Sequence, residues 1–409
     1  MCVWAALIIL VAAAVRIYPS AGFVAMGFDE ALYRDNVLRL DTVGLTGYPE
    51  ICQLFLEDQR QPEQITKLPP TRFLYVFSGW IWKRIHFGDA PPAVRGSSGF
   101  ADRDPALRSL HGVSCLFSIL TVVAAGLAAH RMLGPGMTLG VLALVAFTPT
   151  QIHMGQHALI DGFLAFWATM CVWMLWENLQ NQGRGKWLAG YGLCLACMVM
   201  TKENSFFVYV ALSGLLAVSH RAGFGRITRS LLVVHLAAPA IGLLVLITLA
   251  GGIASFVEIY QLLVVKAQNL TYAIQTGDGP WHRYLVDMMI VSPLILCLAI
   301  GGLFSQLHRE RAYLYLALFV FLTYAVMCNV RYAMNLRYAT IWDLPLCAFA
   351  AAQINQLSAV FGRRRRLAAT LLTVAVCAYG LRQYLIFFCD FALYELVTEG
   401  LLRAVKILK

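Results

Sequence analysis

Two adjacent carboxylates, Asp29 and Glu30, stand in the run GlyPheAspGluAlaLeuTyrArgAspAsn at 27–36, just after the first apolar stretch of the chain. A carboxylate held beside a hydroxyl can take its proton, so the pair offers a general base and a neighbour. The same residues would also serve to open a helix, because acids in a first turn complement the helix dipole. The run that follows is amphipathic, with Leu32, Val37, Leu38 and Leu40 set against Arg34, Asp35, Arg39 and Asp41. Cations that could meet an anionic group come from other segments. Lys67 lies in ThrLysLeuProProThrArgPheLeuTyr at 66–75, where two prolines stiffen the backbone. Lys202 lies in ThrLysGluAsn at 201–204, with almost no loop between two apolar stretches; it can snorkel to the boundary or receive a phosphate. Arg283, in GlyAspGlyProTrpHisArgTyrLeuValAsp at 277–287, and Arg337, in AsnLeuArgTyr at 335–338, stand beside Trp281 and Tyr338. Aromatic residues of that kind also form ordinary interface belts.

A third group is spaced by fours. His153, His157 and Asp161 would share one face of a continuous helix. Three converging ligands are the least a metal site needs, but a break between two spans must fall in this region. Polar helix ends lining a site are therefore expected, with no metal and no cofactor. Cys194 and Cys197 form a CxxC, yet they are flanked by Leu, Ala and Met within an apolar run. A packed helix face suits them better than redox or metal chemistry.

The elements that must position these residues follow from composition. Of 409 residues, 59% are hydrophobic and only 13% charged, where a soluble domain carries about 25%. Apolar runs of about 20 residues, enough to cross a bilayer, recur along the whole chain. The expectation is an all-α polytopic membrane protein, and simple soluble, disordered and disulfide-scaffold classes are excluded. Spans are predicted at 3–19, 107–129, 136–154, 158–177, 187–201, 204–219, 230–251, 284–304, 312–328, 338–358 and 367–388, about eleven in all. The first is read as a retained anchor. The apolar piece at 73–85 is assigned to a large first loop, 20–106, carrying juxtamembrane helices. The rest is read as one transmembrane unit over 1–409 without a separate soluble carboxy-terminal domain.

The net charge of +10 fits the cytoplasmic bias of Lys and Arg better than nucleic-acid binding. Arg131, Arg184, Lys186, Arg221, Arg226, Arg229, Arg309, Arg311 and Arg363 to Arg366 fall on one side, and Lys202, Lys266, Arg283, Arg331 and Arg337 on the other. The richer side is taken as cytoplasmic, so the first loop and every candidate above face outward, in the plasma (inner) membrane. An anionic, lipid-borne substrate explains the cations and an acceptor hydroxyl explains the acid. A transporter or flippase of an anionic lipid-linked sugar is the rival from another class. It would need polar residues continuing through the spans, and these are largely missing from the sequence.

Taken together, these motifs resemble those of polyprenyl-phosphate-sugar-dependent glycosyltransferases with the GT-C membrane fold, such as the protein O-mannosyltransferases and the lipid A aminoarabinose transferases. The likeness rests on AspGlu after the first span, a Pro-Pro piece later in the first loop, HisAlaLeuIleAsp, ThrLys between two spans, GlyProTrp before a late span and ArgTyr opening another. It implies a GT-C-like bundle that moves a sugar from a polyprenyl-phosphate donor to a hydroxyl of a lipid, glycan or protein acceptor. A GT-C-type glycan ligase is a variant of the same reading. By the same resemblance Asp29 is the base, Glu30 its neighbour and Asp161 a supporting carboxylate. Lys67, Lys202 and Arg337 hold the donor, with Arg283, Tyr338 and His157 as further binding residues. One departure stands out: Leu68 separates Lys67 from Pro69 and Pro70, where relatives often place the basic residue directly before the prolines.

Overall fold

The computed structural model describes residues 2–17, 26–61, 63–64, 67–93, 103–181, 183–270, 274–275, 277–330 and 334–407. Arg331 and parts of the first loop at 20–25, 62, 65–66 and 94–102 lie outside the described residues. Among the described residues the chain is helical with no strand. The first helix, α1 (Cys2–Ile17), is followed by three helices of the first loop: α2 (Phe28–Val43), α3 (Tyr48–Arg60) and α4 (Phe73–His86). The 73–85 piece is therefore a helix, packed on α2 and on the next element, as a juxtamembrane helix should be.

That next element is α5 (Pro105–Met132), started by Asp104, whose carboxylate accepts from Leu107 N at 2.9 Å. Such caps are worth about 1 kcal/mol. Then come α6 (Pro135–Ala146) and α7 (Pro149–Gln156), bent by 57°. Pro149 causes the bend: it cannot donate into a preceding turn, and it holds Thr148 extended. The expected break between the third and fourth spans thus has its counterpart at His157–Leu159, where α7 ends and α8 (Ile160–Gln180) begins. Next are α9 (Gly185–Val199), α10 (Ser205–Ala222), α11 (Arg229–Leu249) and α12 (Ile253–Asn269). The last third contains α13 (Arg283–Val291), α14 (Pro293–Gln306), α15 (Arg311–Asn329), a 3₁₀ helix at Leu336–Trp342, α16 (Asp343–Ser358), α17 (Arg365–Tyr384) and the short α18 (Thr398–Ala404).

Each of the eleven expected spans overlaps a helix, but they are not eleven straight crossings. Among the described residues five helical stretches, the run Leu336–Asp390 counted as one, are long and apolar enough to cross a membrane, or up to seven if each bent pair is one span. The expected span at 284–304 needs correction: α13 and α14 fold back by 120° at Ser292–Pro293. The helices pack closely where side chains vanish. A Cβ on Gly302 of α14 would fall 2.0 Å from the Phe349 carbonyl oxygen of α16, so these two backbones touch as small residues allow in membranes. Facing outward, Leu232, Val233, Leu236, Ile241 and Leu244 of α11 are exposed, as lipid contact requires.

The two ends of the bundle differ. At the ends of α5 and α8, Arg131 pairs with Glu177 through two bonds of 2.7 and 2.9 Å. Asp161 marks the opposite end of α8, sixteen residues or roughly 24 Å away at 1.5 Å per residue. Polar groups also reach deeper than the sequence suggests. Buried Arg16 donates to Ser118 Oγ at 2.7 Å and to the Ala12 and Ala146 carbonyls at 3.0 Å, and Ser118 meets Gln151 Oε1 at 3.2 Å. Arg16 was hidden because it closes an otherwise apolar helix.

Candidate active site

Segments distant in sequence converge at the first-loop end of the bundle. The first is the start of α2. Glu30 reaches back to Gly27 N at 2.6 Å, capping the helix. Its other oxygen accepts from Ala158 N at 2.7 Å and from His111 Nε2 at 3.0 Å, with His157 Nδ1 at 3.4 Å. Burial would raise this carboxyl, but the two histidines outweigh it and hold Glu30 well below the usual carboxylate range. Glu30 thus clamps α2, α5 and the turn before α8. Asp29, one residue earlier, is turned about a quarter-circle away and stays partly open, with 18% of its side chain exposed.

The second segment is the 3₁₀ helix. Asn335 Oδ1 accepts from Arg337 N at 3.0 Å, and its amide donates to Glu395 Oε2 at 3.3 Å. Arg337 is aimed by this cap. Its Nη1 lies 3.0 Å from Asp29 Oδ2 and 3.6 Å from Glu395 Oε1, and its Nε lies 3.8 Å from Asp161 Oδ2. The third is the first turn of α8, where Asp161 meets Lys202 Nζ at 2.6 Å with both side chains buried. Lys202, from the tight α9–α10 turn, also sits 4.3 Å over the Tyr338 ring. Asp29, Arg337, Asp161 and Lys202 therefore form one chain of charges.

The fourth segment follows the prolines. Arg72, not Lys67, reaches this region: it holds Glu203 with both terminal and internal nitrogens and donates to Tyr33 Oη at 2.7 Å. Burial disfavours its charge, but Glu203, Tyr33 and Asp29 outweigh burial and keep Arg72 firmly cationic. The same pairing, set against burial, holds Glu203 below its ordinary range. Closing the site, Tyr394 lies so near Gly27 that any Cβ there would strike its ring at 2.0 Å. The Tyr394 carbonyl accepts from His153 Nε2 at 3.2 Å, for the tautomer that places hydrogen there.

Not every residue singled out from sequence joins the cluster. Lys67 pairs with Asp58 at 2.7 Å in a separate cleft, because Leu68 and the prolines displace it and bring Arg72 in instead. Arg283 is buried beside Asp287 at 3.8 Å and donates to the Asp278 carbonyl, with no contact to Asp29, Asp161 or Lys202. His157 touches Glu30 and the Tyr394 ring. Tyr33, Arg72, Glu203, Glu395 and Tyr394 were missed. The sequence offered a hint for two of them, Glu203 beside Lys202 and Arg72 just past the prolines.

The cluster retains binding capacity. Among the described residues Arg337 Nε and Asp161 Oδ2 are buried without a hydrogen-bond partner, facing each other at 3.8 Å. Lys202 spends one of its three donors on Asp161. Among the described residues no three His, Cys, Asp or Glu side chains converge as a metal shell.

Solved structures share this architecture. The oligosaccharyltransferase of Archaeoglobus fulgidus in its apo form superposes with a TM-score of 0.62 at 12% identity, covering 93% of this chain and 55% of that one. Its complex with zinc and sulfate gives 0.59 at 12% identity, with 92% and 52% covered. ArnT from Cupriavidus metallidurans bound to undecaprenyl phosphate gives 0.53 at 13% identity, with 99% and 76% covered. The chain spans about half the length of the archaeal protein. Its fold is the GT-C fold of polytopic membrane enzymes. Within it, residues 104–259 match the family described as dolichyl-phosphate-mannose-protein mannosyltransferase. That match runs from the cap of α5 into α12, and so includes Asp161, Lys202 and Glu203. No curated protein matches the sequence.

Proposed function

We propose that the chain is a membrane glycosyltransferase. It moves a sugar from a polyprenyl-phosphate donor to an acceptor hydroxyl outside the cytoplasm, in the plasma (inner) membrane. The observation that carries this reading is the continuous contact from Asp29 through Arg337 and Asp161 to Lys202, joined to the family match over 104–259.

The chemistry follows from what each group can do. Asp29 Oδ2 faces Arg337, while among the described residues Oδ1 has no hydrogen-bond partner and can receive an acceptor hydroxyl. As the acceptor oxygen bonds to the anomeric carbon, its proton passes to Asp29. The bond from that carbon to the phosphate oxygen breaks, and its electron pair leaves with the polyprenyl phosphate. Lys202 and the spare donors of Arg337 meet the departing charge, and charge-assisted bonds of this kind are about twice as strong as neutral ones. Attack opposite the phosphate inverts the anomeric centre. Arg337, pinned between Asp29, Asp161 and Glu395, keeps base and phosphate site in register. The donor tail remains in lipid, which explains a sugar transferase built from membrane helices. Residues of the chain supply the cationic charge.

Reconstituted in nanodiscs with a polyprenyl-phosphate sugar, the wild-type chain should release polyprenyl phosphate and transfer the sugar. Asp29→Asn should lower transfer by about 10²–10⁴-fold, the typical contribution of a positioned base, with donor affinity preserved. Unchanged transfer by that variant would remove Asp29 from its role.

A further inference from the structure

The exposed side of α2 does not end at Asp29. Leu32 and Asn36 follow it at three and seven residues, so all three lie on one helix face. Tyr33, Arg34, Val37 and Leu40, on the other faces, are buried. Beyond Asp29 this face becomes one wall of a cleft of about 440 Å³ including its mouth, lined by Leu32, Asp35, Asn36 and Arg39 opposite Phe55, Asp58, Lys67 and Leu68. At 1.5 Å per residue, Asn36 lies roughly 10 Å and Arg39 roughly 15 Å along the axis from Asp29.

The lining has a specific chemistry. Two acids balance two bases, so the cleft offers little to a polyanion. Asp58 is held below its ordinary value because hydrogen bonds from Lys67 and Gln59 outweigh its burial. Among the described residues Asn36 and Arg39 make no hydrogen bond to the protein. Amide, guanidinium and carboxylate groups are planar and present paired donors or acceptors, which matches neighbouring hydroxyls on a ring. Leu32, Leu54 and Leu68 supply apolar surface for the ring's C–H face, Leu54 being 45% exposed while Phe55 is buried. A peptide would find no open strand edge here, because α2 and α3 satisfy their own backbones.

We propose that this cleft binds an uncharged oligosaccharide, whose terminal hydroxyl is thereby delivered to Asp29 as the acceptor. The cleft would thus be the acceptor subsite of the transferase proposed above, and it rests on that reading for its purpose but not for its binding.

The test uses the full chain in nanodiscs and an array of uncharged tri- to hexasaccharides. Wild type should bind members of the array. Asn36→Ala and Arg39→Ala should each weaken binding by about tenfold, the loss of one hydrogen bond to a charged or polar group, and should raise the acceptor KM by a similar factor. Both positions lie on the wet face of α2, and a melting curve matched to wild type shows that the fold is spared. No array binding, or binding indifferent to both variants, overturns the proposal. So does residue-dependent binding of Ser/Thr peptides or of anionic glycolipid vesicles instead. Glycan binding without donor turnover would leave the cleft standing and sink the transferase reading. Donor turnover without glycan binding would do the reverse.

Discussion

Arg337 Nη1 lies 3.0 Å from Asp29 Oδ2, across 308 residues of sequence. This contact joins the loop after the first helix to a 3₁₀ turn in the last third of the chain. Because Arg337 also approaches Asp161 and Glu395, it is the hub through which the proposed base, the proposed phosphate ligands and the closing segment are held together. Arg337→Lys keeps a charge but loses the planar fork that reaches several acids at once. Transfer by this variant should fall by about 10²-fold, the usual cost of losing one preorganised charge-stabilising donor, as read from sugar transfer at saturating donor.

Lys202 and Asp161 form a buried pair, and removing one partner leaves an uncompensated charge. Lys202→Met should destabilise by about 3–5 kcal/mol, and adding Asp161→Asn should recover much of the melting temperature. Donor affinity should stay low in the double variant, since the phosphate ligand is gone. Recovery of donor binding together with stability would show that Lys202 has only a structural role.

Glu30 is expected to matter through stability. Its carboxyl is lowered in the folded chain, so its contribution is full at neutral pH, begins to fall below the ordinary glutamate value of about 4.3, and is gone only once pH passes the lower folded value. Glu30→Gln should cost about 1.5–3 kcal/mol near pH 7, in line with hydrogen bonds to a charged group. The gap to wild type should shrink below about pH 4. A gap that is constant across that range would contradict the clamp.

Lys67 and Arg72 should separate cleanly. Lys67 is part-exposed and pairs with Asp58, an interaction worth no more than about 1 kcal/mol. Lys67→Ala should therefore leave donor affinity within about twofold. Arg72→Ala strips Glu203 and Tyr33 of their partner and should weaken donor binding or transfer by about tenfold or more. Isothermal titration with polyprenyl phosphate distinguishes the two.

The sequence made most of the bundle legible because spanning segments announce themselves by length and apolarity, and all eleven expected segments overlap helices. Proline positions were visible, but their geometric effect was not. Pro149 bends its pair by 57° and Pro293 reverses its pair by 120°, and only the packing of neighbouring helices decides between such outcomes. Asp29, Asp161, Lys202 and Arg337 stood out as charges at span boundaries. Glu395 and Tyr394 carried no such mark, because they reach the site through a late irregular segment. Lys67 lies apart from the cluster for a local reason: with Leu68 interposed, the stiff Pro-Pro step leaves the lysine on Asp58 and is followed two residues later by Arg72.

The most direct measurement is a cryo-electron microscopy map of the chain in nanodiscs with polyprenyl phosphate added. The account predicts phosphate density within hydrogen-bond reach of both Lys202 Nζ and the Arg337 guanidinium, with Asp29 facing the vacant sugar position. Phosphate density seated elsewhere, for instance on Lys67 and Arg39, with Lys202 still held only by Asp161, would contradict it.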